Sequence, residues 1–455
     1  MIGAALDDWR PPQGTLIDFT ATVGAGEQPA DVGPTFLQAE HLAAAEKAER
    51  HTAYIGFAAD VRGRADVAAL TAAVTDFVRA HESLRTRFVR AGDGWERLVT
   101  PAEAITVAAV DAGPAPDGPE LTARLRGRFS EEATAWRVPG AVIGAIAGED
   151  SFGLYVAADH SATDGASLLL GLNEIIVRYR AHREGTSAPL PSALAPHSHV
   201  ARTERDRTAA TDPSDPALQV WRRAFTATSG GLERLPIDTG LEPGASAPVQ
   251  ALHHRLLDTD QVAALEAAIA PARLSAALYA ALAITDHART GSDTWMRVVV
   301  QDLRREFSSP DADLSLTQGW VVGFAPLLLE GLADKEPAQV IADAGEAVRA
   351  ARRAGAIPTA AALGVLFAEG TVDPAAVTRP PLISYLDARP VAAALPEVAS
   401  SMMFPGDGST ANVSLWLTRE SGGLEIGAQC PDTATATAEV ARYAEDLRAT
   451  LATFG

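Results

Sequence analysis

The feature that most constrains this chain is a junction. Phe152-Gly153-Leu154-Tyr155-Val156-Ala157-Ala158-Asp159 reads as a strand, and it runs directly into His160-Ser161-Ala162-Thr163-Asp164-Gly165. Past Gly165 the pattern changes, and Ser167 to Arg180 has the spacing of an amphipathic helix. A strand that passes into a helix through a short loop calls for mixed α/β layers. It also sets His160 on a loop at a strand's end, where a side chain can face a cleft. Just upstream, Ala141 to Ala147 is a second short apolar strand, and Gly148-Glu149-Asp150 supplies a hairpin turn.

The same mixture continues along the chain. Val67 to Ala80 places Val67, Leu70, Ala73, Val74 and Phe77 at helical spacing. Helices are expected over Asp258 to Ala270, Ser275 to Thr290 and Thr435 to Phe454. Strands are expected over Arg297 to Gln301, Pro381 to Leu386, Asn412 to Thr418 and Leu424 to Gln429. Two stretches read as linkers: Ala188 to His199 with the polar run Thr203 to Pro216, and Asp238 to Pro248. At 455 residues the chain exceeds one ordinary domain and suits two. The boundary is placed near residue 190, giving domains 1–190 and 191–455. The alternation suggests one sandwich architecture used twice, without a close internal repeat.

Composition narrows the function. Hydrophobic residues make up 47% and charged residues 21%, which suits large cores. No uncharged apolar run approaches the length of a membrane span. The segment Met1 to Asp8 turns acidic at once, unlike a signal peptide. The lone cysteine, Cys430, has no internal partner, which fits a reducing, cytoplasmic setting. A formal net charge of −20 repels phosphate backbones, so nucleic acid is not expected as a partner. His197-Ser198-His199 and His253-His254 lack a third ligand at metal-site spacing, so they are expected to be surface or linker histidines, with no metal. No dinucleotide fingerprint, phosphate loop, Gly-x-Ser-x-Gly elbow or cysteine motif is present. Asp164-Gly165-Ala166-Ser167-Leu168 could imitate a carrier attachment serine, but the strand before it does not suit a small helical carrier.

The pattern His-x-x-x-Asp-Gly arises by chance in roughly one of 20 such chains, so the flanking strand and helix carry the argument. Two readings are open. His160 either caps or satisfies its loop, or it takes a proton from an acceptor hydroxyl or amine near neutral pH. In the second case the activated acceptor attacks a thioester carbonyl, and the imidazolium stabilises the adjacent oxyanion. Asp164 either orients His160 or points into the protein, where a buried carboxylate needs a cation, best an arginine in bidentate contact. Arg304, directly after the strand of Arg297 to Gln301, is the candidate. The alternative is a solvated arginine at a strand end. Gly165 is expected to permit a tight turn.

These residues resemble the condensation-domain superfamily, which includes nonribosomal peptide synthetase condensation domains, plant acyltransferases and polyketide-associated acyltransferases. His160 to Gly165 matches the active-site motif. His81-Glu82-Ser83-Leu84-Arg85-Thr86-Arg87-Phe88 resembles an early signature, and Asp302-Leu303-Arg304 resembles the segment whose arginine pairs with the motif aspartate. Likeness to the polyketide-associated enzymes rests on Trp9 to Thr15, Gln38-Ala39-Glu40-His41-Leu42, Ile383 to Arg389 and Val413-Ser414-Leu415-Trp416. The resemblance implies an α/β fold of two chloramphenicol-acetyltransferase-like sandwich lobes, a pseudo-dimer with a central channel. His160, Asp164 and Gly165 are then catalytic, and Arg304 forms a structural salt bridge. Tyr385, Ser414 and Trp416 are candidates to line the channel, although aromatic residues in strands are more often core.

The expected chemistry is transfer of an acyl group from acyl-CoA or an acyl carrier protein to a hydroxyl, forming an ester in lipid, polyketide or natural-product biosynthesis. No cofactor is held permanently, and a phosphopantetheine-linked donor is a substrate. Carrier proteins are candidate partners, and a monomer suffices. Where peptide synthetases usually place a second histidine, this chain has Asp159, which favours an ester over an amide. The second half has no copy of the motif, since Gly291 follows His287 where aspartate would stand. Two other readings are kept: a free-standing condensation enzyme forming an amide, and a non-catalytic scaffold that docks carrier proteins.

Overall fold

A largely antiparallel sheet drawn from distant parts of the sequence organises the first of two compact units. In the computed structural model, which describes residues 2–191, 194–377 and 381–455, that unit comprises Met1–Arg205, Asp302–Val321 and Ala388–Gly408. The second comprises Asp206–Gln301, Val322–Asp387 and Ser409–Gly455. The sequence suggests one cut near residue 190. The chain instead returns twice to the first unit, because backbone pairing outweighs sequence proximity: Val398–Pro405 pairs antiparallel with Tyr54–Arg62. Ser192 and Ala193, within the first expected linker, lie outside the described residues.

The first unit's main sheet has the strand order Ile2–Gly3, Val398–Pro405, Tyr54–Arg62, Ser151–Asp159, Ala141–Ala147, Thr15–Val23, Ile105–Pro114. Ser151–Asp159 is interior, hydrogen-bonded to Tyr54–Arg62 on one side and to Ala141–Ala147 on the other. Helices Val67–Ala80 and Gly165–Glu184 pack on each other, and Phe152 through Asp159 are all buried. That is why the strand reads as an almost unbroken apolar run. Asp66 caps the first of these helices, accepting from Ala69 N at 3.0 Å. The second ends at Gly185, whose φ of 65° forms the left-handed cap that only glycine adopts without cost.

The polar run expected as linker is partly helical, over His197–Ala209. His197, Ser198, Val200 and Ala201 form its buried stripe, too short and too polar to stand out in the sequence. The second unit's sheet runs Val322–Glu330, Thr294–Asp302, Ile383–Asp387, Ser414–Glu420, Gly423–Pro431, Ala247–Asp258, Ser409–Thr410. Helices Leu274–Thr290, Pro337–Ala354 and Ala434–Ala452 contribute to its core, which includes Trp221, Trp295 and Tyr443. Cys430 is buried there as a free thiol. Burial and the nearby Asp432 push it up to about 11, so it is no nucleophile at neutral pH. Among the described residues no helix is long and apolar enough to cross a membrane.

Candidate active site

The loop after Ser151–Asp159 is shaped by two aspartate caps. Asp159 closes the short turn His160–Ala162 by accepting from Ser161 N at 2.8 Å. Asp164 caps Gly165–Glu184 by accepting from Ser167 N at 2.6 Å. Side-chain oxygens at such positions satisfy backbone donors that a helix start leaves unpaired. Between the two caps the backbone N–H of His160 donates to Ala53 O at 3.0 Å, tying the loop to the segment before Tyr54–Arg62.

Asp164 points into the protein. Its Oδ2 accepts from Val321 N at 2.8 Å, and Arg304 Nη2 lies 3.2 Å from both carboxylate oxygens. Both side chains are almost wholly buried. Burial alone would push the Asp164 carboxyl up, but the guanidinium and the two backbone donors outweigh it and hold it below the usual range. The contact is made through one guanidinium nitrogen, not the two-pronged fork that the sequence suggests. The other Arg304 donors are engaged elsewhere: Nη1 with Asp302 at 2.9 Å and Nε with Thr317 O at 3.1 Å. Nη2 also reaches Ser167 Oγ at 2.7 Å. Arg304 therefore clamps the helix start to the Asp302–Val321 segment.

Gly165 does not serve the purpose expected of it. It sits at the helix start, its φ is not in the left-handed region, and a Cβ there would meet nothing within 4 Å. The turn comes from Asp164, whose φ of −141° and ψ of 177° are extended. Glycine leaves open space at the exposed start of the helix.

His160 is half-buried. Among the described residues its Nδ1 is buried without a hydrogen-bond partner of good geometry, whereas Nε2 carries no hydrogen bond and is not sealed from solvent. Burial, then the neighbouring His41, lower its affinity for a proton; its own carbonyl, Asp164 and Asp159 oppose them. The ring is thus kept neutral, with one nitrogen free to accept a proton. Trp320 packs on it with ring centroids 4.1 Å apart and planes tilted by 33°.

The structure adds neighbours that motif reading missed. Thr35 and Gln38 form a capping box that starts the helix Phe36–Lys47. Gln38 Nε2 then donates to Ser161 O at 2.6 Å, and Gln38 Oε1 accepts from Arg97 Nη2 at 2.9 Å. His41, one turn along the same face, reaches Asp159 at 3.0 Å through Nε2. His51 Nε2 lies 3.0 Å from the other carboxylate oxygen, an ion-pair distance without hydrogen-bond alignment.

His197, expected at the surface or in a linker, is fully buried. Its Nδ1 faces Arg97 Nη1 at 3.3 Å and its Nε2 donates to Trp320 O at 3.2 Å. Burial, followed by the charge of Arg97, lowers it to about 3, so it is a neutral strut. Gly319 makes this possible: its φ is +147°, and a Cβ there would lie 2.1 Å from the His197 ring. His253 is exposed and His254 half-buried, and among the described residues no group of three or more acidic, histidine or cysteine side chains is placed to hold a metal.

Tyr385, Ser414 and Trp416 belong to the second unit, on adjacent parallel strands with Ser384 opposite Trp416. Tyr385 packs against that unit's core, and Ser414 Oγ accepts from Leu382 N at 3.3 Å.

Comparison with known proteins gives the family and the fold. The model of the condensation-domain family matches residues 34–361, a stretch that holds His41, His160, Arg304 and Trp320. Over 353 residues the chain is 26% identical to the 2'-acyl-2-O-sulfo-trehalose (hydroxy)phthioceranyltransferase PapA1 of Mycobacterium bovis. That match covers 74% of this chain and 66% of the relative, just under two thirds of its length. Acyltransferase PapA3 of Mycobacterium tuberculosis is 24% identical over 473 aligned residues, covering 97% of this chain and 94% of that one. The solved structure of PapA2 acyl transferase superposes with a TM-score of 0.85 at 21% identity, covering 100% of this chain and 99% of the other. The fold is therefore that of two chloramphenicol-acetyltransferase-like α/β lobes.

Proposed function

We propose, for a chain that belongs to the condensation-domain family, transfer of an acyl group from a thioester to an acceptor hydroxyl, with His160 as general base. The observation that carries this reading is the His160 ring itself: neutral, packed in place by Trp320, with Nε2 unpartnered and open. The acceptor O–H gives its proton to Nε2 while the oxygen attacks the thioester carbonyl. The imidazolium so formed lies beside the developing oxyanion and stabilises it. Asp164 and Arg304 take no part in proton transfer; they hold the loop that presents His160. The ring of Trp320 offers its face to the imidazolium, a favourable arrangement for a cation.

A hydroxyl acceptor is supported by PapA1, whose name describes acyl transfer to a sulfated trehalose. The donor is an acyl-CoA or a phosphopantetheine-linked acyl group on a carrier protein, bound as substrate. The single, unpaired cysteine supports a cytoplasmic setting.

The test is thiol release from acyl-CoA donors of several chain lengths, with and without a panel of alcohols, trehalose among them, and amines. Release that depends on an alcohol, with the ester identified by mass spectrometry, is expected. Amide products alone would replace this reading with peptide-type condensation. No release from coenzyme A or carrier-bound donors would leave a docking scaffold.

A further inference from the structure

Asp159 is adjacent to His160 in sequence, yet its carboxylate engages two other histidines. It is fully buried, accepts from His41 Nε2 at 3.0 Å, and has His51 Nε2 at 3.0 Å on its other oxygen. Burial pushes its carboxyl up, but the two imidazoles outweigh that and hold it well below the carboxylate range. An ionised carboxylate sealed from water needs positive charge beside it, which these rings supply when protonated. Because a carboxylate only accepts, the nitrogen of His41 that faces it carries the hydrogen. The proton that His41 can exchange is therefore on Nδ1. Among the described residues that atom makes no hydrogen bond, and it is not closed off although only 7% of the side chain is exposed. The His41 ring lies 6.4 Å from the His160 ring and 5.8 Å from that of Trp320. The charged or titratable groups facing His41 are Asp159 from the strand end, His51 from the segment before Tyr54–Arg62, and His160 from the loop. Trp320 brings an uncharged ring.

One imidazole thus has a carboxylate to hold and charge it, while its neighbour His160 has none. This is the division that a proton donor and a proton acceptor require. We propose that His41, held by Asp159, is a second proton carrier of this site and protonates the sulfur of the departing thiolate. The proposal rests on the acyl-transfer reading. The acceptor O–H bond breaks and its proton goes to His160 Nε2, while the new C–O bond forms and the carbonyl electron pair moves to oxygen. When the C=O bond re-forms, the C–S bond breaks and its electron pair leaves on sulfur, which takes the proton from His41 Nδ1. One proton then passes from His160 to His41 through solvent, restoring the starting state.

The test uses the full chain with octanoyl-CoA and with the octanoyl thioester of thiophenol, trehalose or 1-octanol being the acceptor. Thiophenolate is stable enough to leave without a proton. His41→Gln keeps a donor for Asp159 but cannot carry a proton. It should lose about 10²-fold in kcat with the coenzyme A donor and little with the thiophenyl donor. His160→Ala should lose activity with both. Equal losses of His41→Gln on both donors, or none on either, would overturn the proposal and leave His41 a structural residue. An unaffected His160→Ala would instead sink the general-base reading on its own. If neither donor turns over, ¹⁵N spectra of the imidazoles decide: the hydrogen on His41 Nε2 should be held by Asp159 in the wild type, and its signal should shift in Asp159→Asn. A His41 whose Nε2 carries no hydrogen in the wild type, or whose spectrum is the same in Asp159→Asn, would contradict the proposal.

Discussion

Two aspartates bracket His160, and they differ in an instructive way. Asp159 and Asp164 are both fully buried, both cap a helical turn, and both are held below the usual carboxylate range. Asp164 leans on Arg304, a cation whose charge is permanent. Asp159 leans on His41 and His51, cations only when protonated. A guanidinium locked into four contacts suits fixing a loop. Imidazoles with a nitrogen to spare suit exchanging protons. The comparison teaches that the two sides of the motif histidine are built for different work, one for shape and the other for charge that can move.

The sharpest way to break this contrast is to remove one partner from each pair. Arg304→Ala leaves Asp164 buried and unpaired, at an expected cost of about 3–5 kcal/mol, read as a fall in urea-unfolding free energy. Asp159→Asn leaves two rings that can remain neutral, and should cost less, about 1.5–3 kcal/mol for hydrogen bonds to a charged group. If Asp159→Asn proves as damaging to stability as Arg304→Ala, the distinction between anchor and proton store fails.

Acid should reveal the same asymmetry in smaller steps. His160 is lowered mainly by burial, and His197 to about 3. For these bases the unfolded chain, near pKa ~6.5, binds protons first, so stability should fall as pH drops below that value. The loss is at most about 1.4 kcal/mol per pH unit for each group. For Asp159 and Asp164 the folded values lie below the unfolded ones. Their contribution is present above about pH 4 and is lost as pH falls through the folded values. The loss from His197 is read against a His197→Asn variant, whose unfolding free energy should decline less between about pH 6.5 and about pH 4 than that of the wild type. An identical decline in the two proteins would contradict the neutral, buried imidazole of His197.

The smallest expected change is Gly165→Ala. Because nothing lies within 4 Å of the added Cβ, stability should hold or rise by up to about 1 kcal/mol. Lower activity at unchanged stability would mark the open space there as room for substrate. Unchanged activity would leave this glycine without a role in the reaction.

How much of this was legible in the sequence follows from how local each signal is. The strand before His160 and the helix after it were readable because their apolar patterns are contiguous, and Val67–Ala80 has the bounds its periodicity implies. Arg304 was reachable by reasoning that a buried carboxylate needs a cation. Its single-nitrogen contact was not, because Asp302 and Thr317 compete for the other donors. His41 was visible only as part of a family-like segment. The Thr35–Gln38 capping box could have located its helix, but the contact with Asp159 depends on how the loop, helix and sheet come together. His197 looked like a linker residue because its neighbours are polar; what buries it is the close approach of Gly319, far away in sequence. The same gap hid Trp320, whose apolar surroundings give no hint of the ring it packs against.

The acyl-transfer chemistry stands or falls on His160. The most direct test compares initial rates of alcohol-dependent thiol release by wild type and His160→Ala, with circular dichroism and thermal unfolding showing both folded alike. A drop of roughly 10²- to 10⁴-fold at unaltered stability is the predicted result; equal rates in the two folded proteins would contradict the general base and the chemistry built on it.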